Sequence, residues 1–296
     1  GNHFGLRLGL TLGFLILVCA LTIAFPLAVF GLLAFWAALT LVVSFCLKLA
    51  AFIARLSRGG KTPPLRLGPV PGAPLPRVSI MVPLFRETEI AHALIARLQR
   101  LTYPKCLLDV ILVLEEEDDL TRQTLAQIDL PPWMRAVVVP DGQPRTKPRA
   151  MNYALDFCEG DIIGIFDAED APTPDQITAV ARRFQQAPPD VVCLQGILDY
   201  YNPRQNWLAR CFTIEYATWF RMIMPGMALL GLAIPLGGTT LYFRRDALEK
   251  LGGWDAHNVT EDADLGFRLA RHGYRTEMIA TVTGEEANCH IWPWIR

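Results

Sequence analysis

The sequence predicts an α/β domain built on a mostly parallel sheet, with two membrane-spanning helices in front of it. Three observations predict this. Two long apolar stretches near the N-terminus flank a lone proline. From Val78 onward, short apolar runs alternate with segments of helical period, the pattern of strands covered by helices on both faces. Two of those runs end in crowded carboxylates, at the sheet edge where open parallel sheets bind ligands.

The N-terminal stretches are Leu8–Phe25 and Leu27–Leu47, of 18 and 21 residues, split by Pro26. At ~1.5 Å per residue they measure roughly 27 and 32 Å as helices, each enough for a ~30 Å hydrocarbon core. A transmembrane hairpin with a tight turn near Pro26 is expected over residues 1–56; a cleaved leader would leave the second stretch unexplained. Residues 1–54 hold Arg7 and Lys48 and no acid. Arg55, Arg58, Lys61, Arg66, Arg77 and Arg86 follow, again with no acid among them. The positive-inside rule therefore places both ends of the hairpin in the cytoplasm. Six prolines between Pro63 and Pro76 make residues 57–76 a stiff linker, and residues 77–296 become a cytosolic domain held against the membrane.

Hydrophobic residues make up 52% of the 296 and mean hydropathy is +0.27, an excess concentrated in the N-terminal stretches. The net charge of −1 gives no electrostatic footprint for nucleic acid. Seven cysteines, Cys19, Cys46, Cys106, Cys158, Cys193, Cys211 and Cys289, form no C-x-x-C pair. They read as free thiols in a reducing compartment, not as a zinc site.

The elements follow in order. Val78–Leu84 is a strand, Glu89–Leu101 a helix with Ile90, Leu94, Ile95 and Leu98 on one face, and Leu108–Leu114 a second strand. Leu120–Ile128 is a short helix, Ala136–Val139 a strand, Arg149–Phe157 a helix and Ile162–Phe166 the fourth strand. Asp175–Gln186 and Val191–Leu198 add another helix and strand. The aromatic segment from 206 to 236, with Trp207, Phe212, Tyr216, Trp219 and Phe220, is broken at Pro225 and Gly226 and is too short to span. It reads as an amphipathic element at the membrane interface, or as a buried core helix. No glycine-rich phosphate loop is present.

The fourth strand runs into Asp167, Glu169 and Asp170, and the second into Glu115-Glu116-Glu117-Asp118-Asp119. Like charges this close call for a cation or a solvated loop. Four segments then occur in order: VSIMVPLFRE, RTKPRAMNYAL, FDAED and LGGTTLYFRRDALEKLGGWDAHNVTEDADLGFRL. Together they resemble the membrane-bound glycosyltransferases of family 2, which include cellulose, chitin and hyaluronan synthases. The form NVTEDADLG is most similar to the bacterial exopolysaccharide synthases.

The resemblance implies a GT-A fold, a nucleotide-sugar donor that is UDP-linked, a divalent metal (Mg²⁺ or Mn²⁺), an inverting reaction and a bacterial inner-membrane location with a cytosolic catalytic domain. Pro83, Phe85 and Glu87 match the segment that borders the nucleoside, with Arg86 where the family has Asn. Glu115 and Glu116 fall where it has an Asp pair near the base. Lys147 and Asn152 match donor-binding positions, and Asp167 and Glu169 match the two acids of its metal-binding D-x-D. Thr260-Glu261-Asp262 matches its T-E-D motif unchanged. Such a synthase continues into a Q-x-x-R-W motif and further transmembrane segments, so a longer chain, or export subunits, is expected after Arg296, with a second interfacial element at the C-terminus.

The chemistry suits these residue types. A leaving nucleoside diphosphate develops negative charge, which a cation between carboxylates and phosphates neutralises. An acceptor hydroxyl must lose a proton as it attacks, and a carboxylate base at Asp262, with Glu261 beside it, supplies that. Both acids would also be ordinary in a first helical turn, with Thr260 as N-cap. Gly237, Gly238 and Thr239 would let backbone approach the acceptor, and Trp254 could stack on a sugar. The expected reaction is sugar transfer to a growing polysaccharide. The alternatives are single transfer to a lipid carrier and a membrane scaffold with a degenerate nucleotide pocket.

Overall fold

A computed structural model describes residues 2–59, 68, 72–86 and 90–286. Glu87, Cys289, Trp292, Trp294, the C-terminal interfacial element and most of the proline-rich linker lie outside the described residues. The helices are α1 (Asn2–Ala24), α2 (Pro26–Ser57), α3 (Ile90–Gln99), α4 (Asp119–Ala126), α5 (Lys147–Leu155), α6 (Gln176–Gln186), α7 (Trp207–Thr218), α8 (Met224–Leu229), α9 (Arg245–Lys250) and α10 (Glu261–Arg271). The strands are β1 (Val78–Leu84), β2 (Leu108–Glu115), β3 (Met134–Val139), β4 (Ile162–Ile165), β5 (Ala171–Pro172), β6 (Val191–Tyr200), β7 (Leu241–Arg244) and β8 (Arg275–Glu285).

The chain divides into two compact units, residues 1–50 and 51–296. The first is α1 and most of α2. Pro26–Ser57 is long and apolar enough to cross a membrane, and none of its most apolar window is buried; Leu8–Ala24 is a shorter apolar helix. The tight reversal expected at Pro26 is not seen. Phe25 alone separates the helices, its N–H donates to Leu21 O at 2.8 Å, and Val29 N–H donates to Phe25 O at 3.1 Å. Pro26 opens α2 at a position whose N–H needs no helical partner, so it does not force a turn.

The second unit is an eight-stranded sheet in the order β3-β2-β1-β4-β7-β6-β8-β5. β1, β2, β3 and β4 run parallel, from registers such as Val78↔Leu108 and Val78↔Ile162. The sheet is more mixed than the alternation of strands and helices suggests. β7 is antiparallel to both β4 and β6, and β5 is antiparallel to β8. A four-residue strand carries no direction in its side-chain pattern, and β7 runs straight into α9.

Alternate residues of each strand go to opposite faces. Ile80, Val82, Val110 and Leu112 pack with Leu94 and Leu98 of α3 and Val180 and Phe184 of α6. Met81, Ile111, Ile163 and Ile165 pack with Met151 of α5, Leu248 of α9 and Leu265 of α10. Continuous apolar runs are required because both faces are covered. The segment expected near the membrane interface forms α7, a π-helical stretch over Trp219–Ile223, and α8. Phe220, Ile223 and Met224 are buried, while Trp207 and Ile214 are 65% and 67% exposed. Gly226 is required because a Cβ there would lie 2.0 Å from Ala51 O, where α8 meets the last turns of α2.

The joint between β1 and β4 fixes where Asp167 emerges. A Cβ on Gly160 would lie 2.3 Å from Ser79 N and 2.8 Å from the Val78 carbonyl carbon. Gly160→Ala should therefore lower the free energy of unfolding by about 1–3 kcal/mol, the usual cost of overpacking. Urea denaturation of the solubilised protein measures it, and an unchanged midpoint would contradict this packing.

Candidate active site

β1, β2 and β4 end side by side, and a cleft of about 360 Å³ opens beyond their carboxyl ends. Pro83 of β1 and Phe85 just after it, Glu115 of β2 and Glu117 just after it, Lys147 from α5, and Asp167 and Glu169 after β4 line it. A larger cavity of about 520 Å³ lies beside Gly266, Ala270 and Ile234. Its acid Glu277 is paired with Arg183 and its Arg275 with Asp190, and none of the groups at the ends of β1, β2 and β4 lines it.

The β1 end makes the apolar wall. Phe85 is half-exposed with the Arg86 guanidinium 5.1 Å from its ring centroid. Arg86 has φ +57°, a conformation that Asn tolerates better than most residues, and its N–H is held by Asp118 Oδ2 at 2.6 Å. At the β2 end the two sequence-predicted acids part company. Glu115 faces the cleft 3.5 Å from Arg149, and burial raises its pKa against the pull of that arginine. Glu116 turns aside, accepting Asp141 N–H at 2.8 Å, and Glu117 takes its place on the cleft, paired with Arg145.

Lys147 begins α5 and reaches across to Asp167, Nζ to Oδ1 2.5 Å, with Gly238 O at 3.4 Å. Burial pulls the lysine pKa down, but Asp167 and then Asp262 and Glu261 outweigh it, and the ammonium is held above its ordinary range. Glu285, at the end of β8, faces the same loop. Burial, followed by the charges of Asp167 and Glu169, pushes its carboxyl up to about 7. Asp167 and Glu169 with nearby Glu285 therefore form an anionic rim that a cation would relieve. Among the described residues no three His, Cys, Asp or Glu groups stand close enough to hold a metal unaided. The donor set fits a hard divalent ion that takes one or two carboxylates and completes its shell with phosphate and water.

Asp262 lies in the first turn of α10 and is 7% exposed. Burial pushes its carboxyl up to about 7, opposed by Lys147 and assisted by Glu261. Its Oδ1 accepts the Trp254 indole N–H at 3.2 Å, and Oδ2 lies toward Gly238. Thr260 does not cap α10 through its side chain; its hydroxyl donates to Asn258 Oδ1 at 3.1 Å.

Three expectations change. Trp254 is 2% exposed and packs edge-on against Phe243 at 5.9 Å, so it has no face for a sugar and orients Asp262 instead. Asn152 faces no cleft group; its amide donates to Trp254 O at 2.7 Å and accepts Trp254 N–H at 2.9 Å. Thr239 is buried, its hydroxyl turned to Asp170. Gly238 alone of that loop approaches the cleft, 3.4 Å from Lys147 through its carbonyl. Gln195 is a residue the sequence reading missed. Fully buried in β6, it accepts Gly237 N–H at 2.8 Å and donates to Thr239 O at 3.2 Å, shaping the loop from below. Its only sequence signal is a polar residue inside an apolar strand.

Comparison with known proteins places this arrangement. A protein named Beta-monoglucosyldiacylglycerol synthase, from Synechocystis sp., is 28% identical over 227 residues, covering 76% of this chain and 47% of its own length. The chain thus spans about half of that relative. Among solved structures, the mannosyltransferase PcManGT from Pyrobaculum calidifontis, in complex with GDP-Man and Mn²⁺, has a TM-score of 0.59 at 22% identity, over 86% of this chain and 70% of that one. TarS 1–349 from S. aureus, in complex with UDP-GlcNAc, has a TM-score of 0.50 at 16% identity, over 72% of this chain and 60% of that one. These likenesses show the glycosyltransferase GT-A-like fold. The family described as "Glycosyltransferase like family 2" matches residues 76–290, from the start of β1 through the whole sheet, and the chain belongs to that family.

Proposed function

We propose that this chain transfers a sugar, with inversion, from a nucleoside diphosphate donor to an acceptor hydroxyl at the cytoplasmic face of a bacterial inner membrane. The observation that carries the reading is the buried Asp262 carboxyl, oriented by Trp254 and set in the electrostatic field of the Lys147–Asp167 pair. A binding module has no need of such a base.

The donor nucleoside lies along Pro83, Phe85 and Glu115, with its diphosphate toward Lys147. A divalent cation held by Asp167 and Glu169 would neutralise charge on the leaving diphosphate. Asp262 Oδ1 is held by Trp254, leaving Oδ2 to accept the acceptor proton. As the acceptor oxygen bonds to the anomeric carbon, the bond from that carbon to the diphosphate breaks on the opposite face, which inverts the centre. Lys147 meets the departing charge, and Gly238 places backbone close to the acceptor side without a side chain in the way.

Two acceptor classes follow. A growing polysaccharide is the expectation from the T-E-D segment. A membrane lipid is favoured by the relative whose name is that of a diacylglycerol glycoside synthase. The apolar α2 and the exposed Trp207 and Ile214 support a reaction at the bilayer surface. Radiolabelled transfer into vesicles that contain diacylglycerol, compared with transfer into soluble oligosaccharide primers, separates the two. A reporter after Ser57 should be cytosolic, and an external signal there contradicts the location. UDP should compete with the donor better than GDP, and equal competition would contradict the uridine reading.

Asp167→Ala should weaken UDP binding about tenfold or more in Mn²⁺ or Mg²⁺, and much less in EDTA, by the loss of a ligand shared with phosphate. Calorimetric titration measures it, and wild-type affinity with metal present would sink the metal role. Asp262→Asn is nearly isosteric and should lower transfer by roughly 10²–10⁴-fold while leaving UDP affinity within a few-fold. An active variant, or one that loses nucleotide binding as well, would remove Asp262 from the base role.

A further inference from the structure

Asp170 closes the FDAED segment, yet it does not face the cleft. It is 0% exposed, and its Oδ1 has no hydrogen-bond partner among the described residues. All of its bonding runs through Oδ2, which accepts Asp167 N–H at 2.8 Å and makes a short hydrogen bond with the Thr239 hydroxyl. Burying a carboxyl on so few partners is unfavourable, and a solvated loop would not require it.

The Thr239 hydroxyl gathers the other side. It accepts Asp167 N–H at 3.2 Å and Thr240 N–H at 2.7 Å and lies 3.3 Å from Ile165 O. Thr240 has φ +56°, a conformation β-branched residues rarely adopt, and its N–H is pinned to Ile165 O at 2.9 Å. The strained turn that points Gly238 at Asp262 is thus fastened to the strand that delivers Asp167. From the cleft side, Lys147 joins the same two loops through Asp167 Oδ1 and Gly238 O. That outer link uses charges a bound diphosphate would compete for. The inner link uses the Asp167 backbone and survives such competition.

Resting on the transferase reading above, we propose that Asp170 is a positioning residue that locks the loop carrying Asp167 to the Gly238–Thr240 loop beside Asp262. Donor-side and acceptor-side groups then keep their register when Lys147 turns to the donor.

Hydrogen exchange of the full-length, ligand-free protein in nanodiscs tests this without reference to activity. Asp170→Ala should speed amide exchange about five- to tenfold, the worth of one hydrogen bond, in both the 166–170 and 237–241 segments. β1 and β2 should stay as in the wild type. Thr239→Val cuts the link from its other end and should do the same, which keeps the test alive if Asp170→Ala does not fold. Asp170→Asn retains an oxygen that can accept both Asp167 N–H and the Thr239 hydroxyl, so it should restore wild-type exchange and also wild-type Mn²⁺ affinity, read by EPR with UDP or GDP as probe. Exchange that quickens in 166–170 alone, or throughout β1 and β2, overturns the proposal. So does an Asn variant that loses Mn²⁺ as severely as the Ala variant, because that marks a direct carboxylate ligand. A wild-type protein that binds neither Mn²⁺ nor nucleotide would instead overturn the transferase reading, with the exchange result still deciding the role of Asp170.

Discussion

The carboxylates of Asp167, Glu261, Asp262 and Glu285 act on the ammonium of Lys147, and the arrangement around the cleft depends on that imbalance of charge. Burial pushes two of these acids, Asp262 and Glu285, to about 7; neighbouring carboxylates add to it and Lys147 opposes it. Asp167 and Glu169 line the cleft on its solvent side, where a diphosphate and its cation would enter. An inner carboxyl whose proton affinity is raised and an outer pair open to a cation are the two features the proposed metal-assisted glycosyl transfer calls on.

The fold exists to hold this imbalance. Apolar strands buried on both faces leave only their ends to carry charge, and β1, β2 and β4 deliver three such ends to one edge. Helices bring the rest: α5 starts at Lys147, the counter-charge, and the first turn of α10 supplies Glu261 and Asp262. The inner fastenings, Trp254 on Asp262, Asn152 on the Trp254 backbone, Gln195 under Gly237, and Asp170 on Thr239, are uncharged or buried contacts that keep the charged groups from relaxing apart.

Much of this was legible in residue order. The β1, β2 and β4 runs are apolar and sharply bounded, so their ends, and Asp167 with them, could be located; the resemblance then attached roles to Lys147, Asp167 and Asp262. What escaped was set by partners distant in sequence. Asn152 and Trp254 meet across 102 residues, and Asp170 and Thr239 across 69. No local pattern distinguishes an indole that stacks on sugar from one that orients a carboxylate. The direction of β7 was hidden for the same reason, since pairing with β4 and β6 decides it. Pro26 misled in the opposite way: its sequence signal is strong, but at the first position of a helix it is compatible with an almost uninterrupted one.

The base role proposed for Asp262 requires its buried carboxyl in the ionised form. The pH dependence of kcat/KM for sugar transfer tests it most directly, since that ratio reports groups of the free enzyme. Burial raises the Asp262 pKa to about 7, so the base is protonated and idle below that value. The rate should climb about tenfold per pH unit below 7 and level off above it, as expected for one ionisation. A rate independent of pH between 5 and 9, or one that falls as pH rises through 7, would contradict the account.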